Sequence, residues 1–77
     1  MTQVTLYTKP GCHLCESVEE VIRDVARRRA FEVKLVNILE DPAAFALYEF
    51  EIPVVFVNGK EIARHRLNQG ELEAALD

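Results

Sequence analysis

A chain of 77 residues holds one small domain, residues 1–77, and no second. A fold of this size buries only about 60% of the surface its unfolded chain exposes, which excludes a large barrel, a doubly wound dinucleotide domain and a deep enclosed pocket. Apolar residues make up 49% and charged residues 29%, the balance of a folded domain, and the net charge of −4 offers no basic field for nucleic acid.

Gln3 to Thr8 is rich in β-formers, with Val4 and Leu6 on one face and Thr5 and Tyr7 on the other. Lys9-Pro10-Gly11 breaks this strand. From His13 to Arg29 the spacing is helical: Leu14, Val18, Val21, Ile22, Val25 and Ala26 form one apolar stripe. Acids crowd the first half of that helix and bases its last turns, which complements the helix dipole. Glu19 with Arg23, and Asp24 with Arg28, stand in the favourable i,i+4 order on a solvated face. Phe31 to Leu35 alternates as a half-exposed strand does.

Asp41-Pro42 is a helix start, with Asp at the N-cap and Pro at the first helical position. That helix runs from Pro42 to Tyr48, and Pro53 separates it from a buried strand, Val54 to Val57. Asn58-Gly59 is a hairpin turn leading into Lys60 to Arg64. Asn68 caps a last helix, with Glu71 placed for a capping box and Leu72, Ala75 and Leu76 on its buried side. The order β-α-β-α-β-β-α predicts a mixed α/β sheet of four strands with helices on both faces. The first two strands are joined by a helical crossover and are therefore parallel; the last two form an antiparallel hairpin.

The two cysteines, Cys12 and Cys15, sit where the first strand gives way to the long helix. Two are too few for a disulfide scaffold, and a close pair in a reducing compartment reads as redox-active or metal-binding first. Amide N–H groups of an opening helical turn lack intrahelical partners and stabilise a thiolate placed before them. That lowers the Cys12 pKa from about 8.5 toward 7. The thiolate fraction at pH 7 then rises from ~3% to ~50%. Intrinsic nucleophilicity falls as the pKa falls, so attack gains only about threefold. The larger effect is on leaving-group quality and redox poise. One helical turn brings Cys15 back over Cys12 at a Cα separation of roughly 5 Å, within disulfide range.

Other readings of the pair stay open. A zinc or copper carrier would use the same cysteines but has only His13 and His65 to complete a ligand set. An inert pair, or a non-catalytic binding module, are the remaining readings. Lys9 stands three residues before Cys12, placed to hold a thiolate or meet a substrate carboxylate. His13 is placed to donate to the Cys12 sulfur. For each of these two the alternative is a plain solvated side chain.

Tyr7-Thr8-Lys9-Pro10-Gly11-Cys12-His13-Leu14-Cys15 resembles the active-site segment of the glutaredoxins, and Ile52 to Lys60 resembles the family's proline loop entering a hairpin. With the order of elements, the resemblance to the thioredoxin-like fold covers nearly the whole chain. It implies that the Ile52–Pro53 bond is cis. It also implies that this loop flanks Cys12, with Ile52 and Pro53 contributing to substrate binding.

The chain departs from the family after the hairpin. Where glutaredoxins carry Ile-Gly-Gly and then Asp to hold glutathione, this sequence reads Ile62-Ala63-Arg64-His65-Arg66-Leu67. The glycines that allow close backbone approach are gone, and arginines stand where an α-ammonium would sit. This argues against efficient glutathione binding. Arg64, His65 and Arg66 are placed either to meet an acidic partner or to charge a solvated edge.

The expectation is a thiol–disulfide oxidoreductase with Cys12 and Cys15 as catalytic residues and no resident cofactor. A disulfide-bearing protein or small thiol is the substrate, and an external reductant regenerates the pair. No run approaches the ~18 apolar residues of a membrane helix. The first residues carry no basic or apolar leader. A cytoplasmic monomer without membrane or nucleic-acid partners is expected.

Overall fold

The computed structural model describes residues 1–77. Strand β1 (Gln3–Thr8) leads into helix α1 (His13–Ala26), strand β2 (Glu32–Asn37), a 3-10 turn (Ile38–Glu40) and helix α2 (Pro42–Tyr48). Strands β3 (Val54–Val57) and β4 (Lys60–Arg64) and helix α3 (Gln69–Leu76) complete the chain. The four strands lie in the order β2-β1-β3-β4. β1 is parallel to β2 and antiparallel to β3, and β3 is antiparallel to β4. The predicted mixed sheet is therefore the one observed.

The period of two along the strands sorts the core. Val4, Leu6, Val55 and Val57 point to one face and pack with Val18, Ile22 and Val25 of α1 and Leu72 of α3. The other face carries Tyr7 and Phe56, against which Tyr48 of α2 lays its ring, at 4.8 Å and 6.3 Å between centroids. Helices cover both faces, as the alternation predicts. The hairpin turn has φ of +50° at Asn58 and +81° at Gly59, the backbone its Asn-Gly pair favours. Asn58 also clasps the start of β1, accepting from Gln3 N–H through Oδ1 at 2.9 Å and donating its own N–H to Gln3 O at 2.8 Å.

Both predicted caps form. Asp41 Oδ1 accepts from Ala44 N–H at 3.1 Å, and Asn68 and Glu71 make the reciprocal capping box.

The differences have local causes. α1 ends at Ala26 rather than Arg29, because Arg28 N–H and Arg29 N–H both turn back to Val25 O at 3.0 Å. The arginines beyond it are not simply solvated. Arg28 bonds Gln69 and Glu73 of α3, and Arg29 reaches Asp77 at 2.7 Å, tying the end of α1 to the last helix. Glu19 does pair with Arg23, but Asp24 pairs with Arg27 instead of Arg28. β2 runs on to Asn37, whose side chain accepts from Leu39 N–H and starts the 3-10 turn. No helix is long and apolar enough to cross a membrane.

Candidate functional site

The site is built at the end of the sheet where β1 runs out. Gly11 takes φ of +76°, a left-handed conformation that turns the chain from the strand into α1 and suits a residue without Cβ. Cys12 is the N-cap of α1, in extended conformation. Its Sγ accepts from the backbone N–H of Cys15 at 3.2 Å, while its carbonyl accepts from Glu16 N–H at 3.0 Å. Cys12 and Cys15 are joined as a disulfide with 5.2 Å between their Cα atoms, matching the spacing read from one helical turn.

The two sulfurs live in different surroundings. Cys15 is 1% exposed, within a cluster with Ile38, Ala44 and Ile52; Cys12 is half-buried at the margin of that cluster. The asymmetry follows from the helix. Cys15 lies on the same stripe as Val18, Ile22 and Val25, so it turns inward, while the N-cap position stays at the rim.

The Ile52–Pro53 bond is cis, as the sequence resemblance implied. Ile52 is 8% exposed and shares the cluster that holds the cysteines, and Pro53 is fully buried. The Ile52 N–H donates to Tyr48 O at 3.2 Å, and Pro53 O accepts from His65 N–H at 2.7 Å. The Ile52 carbonyl accepts no hydrogen bond from the chain.

Lys9 and His13 flank the pair along the chain, and the one hydrogen bond to a cysteine sulfur comes from Cys15 N–H rather than from either of them. Lys9 is exposed and lines, with Thr8, Pro10, Leu35 and Glu40, an open groove of about 350 Å³ on the β2 side of the site. The His13 side chain is 97% exposed, with Nδ1 3.6 Å from Glu16 Oε1. Its nearest charged partner is therefore the next turn of the helix.

A further set of residues braces the proline loop, and the sequence reading did not assemble it. Arg64 binds Glu51 through Nη1 at 3.2 Å and Glu61 through Nε at 2.6 Å. Its guanidinium carbon lies 5.7 Å from the centroid of the Tyr48 ring. The hydrogen bond from Arg64 holds the Glu61 carboxyl below its ordinary range, although desolvation works against it. The Arg64 pKa is raised in return, by its bond to Glu61 first and by Glu51 after it. Arg64 is thus paired within the chain, with Glu51 and Glu61, and of the two readings left open for the Arg64-His65-Arg66 cluster this contact belongs to neither. His65, which follows it, has φ of +70° and bonds Pro53 by its backbone. The sequence signal for this brace was weak: a loss of the family's glycines, with no hint of the Glu51 contact across the loop.

No three His, Cys, Asp or Glu side chains stand close enough together to hold a metal ion.

The family model of the glutaredoxin-like domain (DUF836) matches residues 3–77. A curated relative, the glutaredoxin-like protein YDR286C homolog of Dictyostelium discoideum, is 25% identical over 75 residues, covering 90% of this chain and 69% of its own length. The solution structure of protein Ne2328 from Nitrosomonas europaea is similar with a TM-score of 0.83 at 28% identity, covering 99% of this chain and 92% of that one. The X-ray structure of protein XcR50 from X. campestris is similar with a TM-score of 0.75 at 33% identity, covering 96% and 95%. A thioredoxin variant from Halobacterium salinarum, at 21% identity and a TM-score of 0.61 over 95% of this chain and 67% of that one, shares the fold. With its thioredoxin-like fold and a cysteine pair at the first strand-to-helix turn, the chain belongs to the glutaredoxin-like (DUF836) family.

Proposed function

We propose that the protein is a thiol–disulfide oxidoreductase acting on a disulfide-bearing protein or small disulfide. The observation that carries this reading is the unequal placement of the two sulfurs. Cys12 is half-exposed at an N-cap with a backbone N–H on its sulfur at 3.2 Å; Cys15 is 1% exposed behind it. An incoming disulfide reaches Cys12 first, and Cys15 meets only what Cys12 has already bound.

The steps follow from that order. The Cys12 thiolate attacks one sulfur of the substrate disulfide, forming a mixed disulfide and releasing the other sulfur as thiolate. Cys15, deprotonated, attacks Cys12 Sγ; the second substrate thiolate leaves, and the Cys12–Cys15 disulfide remains. Two electrons have passed to the substrate. An external dithiol or thiol pair reopens the disulfide by the same exchange in reverse.

The helix start favours the thiolate at Cys12 through the amide donors of its first turn. A better leaving group at Cys12 makes the disulfide easier to reduce and the protein more oxidising. The Ile52 carbonyl, without a donor in the chain, is available to a substrate N–H beside the mixed disulfide; the Ile52 N–H is committed to Tyr48. Docking through this loop therefore uses an acceptor more readily than a donor.

The test uses single-cysteine variants and a protein disulfide substrate. Cys15→Ser is expected to accumulate a mixed disulfide at Cys12, and Cys12→Ser to form none. A Cys12→Ser protein that still turns over would overturn the assignment. Glutathione with glutathione reductase, and NADPH with thioredoxin reductase, are then compared as electron supplies. Weak turnover with the first is expected, since Ala63 and Arg64 replace the glycines of the glutathione site.

A further inference from the structure

β2 is an outer strand of the sheet, so one of its edges has no partner. The groups on that edge can be assigned by alternation. Glu32 donates its N–H to Thr2 O at 2.8 Å, toward β1. Backbone groups point alternately to the two sides of a strand. Glu32 and Lys34 therefore spend theirs on β1, while Val33 and Leu35 direct theirs outward, as does the carbonyl of Phe31, which shares a peptide with the inward Glu32 N–H. The side chains on this edge are open as well: Val33 is 45% and Leu35 49% exposed. Glu32 and Lys34 are exposed, and neither takes part in any ion pair of the chain.

We propose that β2 pairs antiparallel with β2 of a second copy of this chain, about a two-fold axis through Val33. In that register Val33 faces Val33, and Phe31 of each copy faces Leu35 of the other. The Val33 pair exchanges two hydrogen bonds, and in each Phe31–Leu35 pair the outward Leu35 N–H donates to the outward Phe31 carbonyl. Between them fall the non-hydrogen-bonded pairs, where side chains approach most closely. There Glu32 of each copy meets Lys34 of the other, and two unpaired charges of opposite sign become two cross-strand ion pairs.

The neighbouring registers are disfavoured by the same residues. A register centred on Glu32 sets carboxylate against carboxylate, and one centred on Lys34 sets ammonium against ammonium. The apolar side chains also match. Val33 and Leu35 lie on the face of Val4 and Leu6, by the β1–β2 register, and Phe31 packs against that core. Pairing continues this apolar layer across the axis. The cysteine pair and the Ile52–Pro53 loop adjoin the inner strands β1 and β3, so they stay open in the dimer. The proposal departs from the monomer expected from the sequence.

The test is sedimentation velocity on the full chain over a concentration series, with dithiothreitol present to exclude intermolecular disulfides. A concentration-dependent shift from the mass of one chain to that of two is expected. Lys34→Glu sets like charges opposite one another and should weaken the dimer about tenfold or more. The swap Glu32→Lys with Lys34→Glu restores the opposite-charge pairing and should recover it. Val33→Pro removes an outward N–H without breaking the ladder to β1 and should abolish pairing. Amide exchange of Val33 and Leu35 in the unmodified chain should slow with rising concentration, a readout that does not depend on any variant folding. A chain that stays monomeric at millimolar concentration overturns the proposal. So does a dimer that Lys34→Glu and Val33→Pro leave unchanged, a swap that fails to restore pairing, or an association that vanishes on reduction.

Discussion

The backbone N–H of His65 meets the carbonyl of Pro53 at 2.7 Å, and His65 holds a left-handed φ of +70° to do so. One hydrogen bond thereby ties the end of β4 to the loop that flanks the cysteines. Arg64 reinforces the tie from its side chain, through Glu51 and over Tyr48.

The left-handed backbone at His65 predicts an unusual mutational order. His65→Gly should change stability by less than about 1 kcal/mol, because relief of the Cβ clash offsets the added chain entropy. His65→Val should cost about 1–3 kcal/mol, since a β-branched residue tolerates this region poorly. Urea unfolding midpoints of the three proteins check the order, and a valine variant as stable as the glycine one would refute it.

Gly11 gives a related case nearer the sulfurs. A Cβ there meets no atom within 4 Å, so the cost of Gly11→Ala is purely that of φ at +76°. The expected loss is about 1–2 kcal/mol. It should be accompanied by a changed Cys12 reactivity toward iodoacetamide, because the turn that sets the N-cap is displaced. Thermal unfolding and alkylation rates are the measurements.

Arg64→Ala should release the Glu61 carboxyl, whose titration midpoint then rises toward the ordinary 4.5. The sign of the pH dependence follows. Glu61 is depressed in the folded state, so its contribution to stability is present above its unfolded pKa and lost as pH falls through the lowered folded value. Wild type and Arg64→Ala should therefore differ most near neutrality and converge in acid. Glu61 side-chain shifts followed by NMR, with unfolding at several pH values, test both statements.

Reduction should leave the fold standing. The disulfide spans a sequence separation of only three residues, so it restrains the unfolded chain little. The chain-entropy relation gives roughly 2 kcal/mol for so small a loop. Denaturant unfolding with and without a strong reductant measures the difference, and an unfolded reduced protein would refute the expectation.

Leu6→Ala removes a fully buried side chain from the main core. It should cost about 2–5 kcal/mol, a large share of the stability of a domain with so thin a core.

Much of the architecture was legible because it rests on local rules. Asn58-Gly59 requires a particular turn, Asp41-Pro42 starts a helix, and the stripe from Val18 to Val25 sets which way α1 faces. The position of Cys12 at the N-cap follows from the strand breaker before it. The brace around Arg64 was not legible, because Glu51 and Tyr48 meet it only once the proline loop and β4 are side by side. The left-handed His65 carried no signature, since histidine does not advertise that backbone as glycine does. The links from Arg28 and Arg29 to α3 likewise depend on how two helices far apart in the chain are laid together.

The bridge from Arg29 to Asp77 holds the residue after α3 at the far end of α1, and Met1 precedes β1 at that same end. Met1 and Asp77 thus both lie at the pole opposite the sulfurs. Tethering the molecule to a surface, or threading it into a longer polypeptide, leaves the cysteine pair on the side facing away from the attachment.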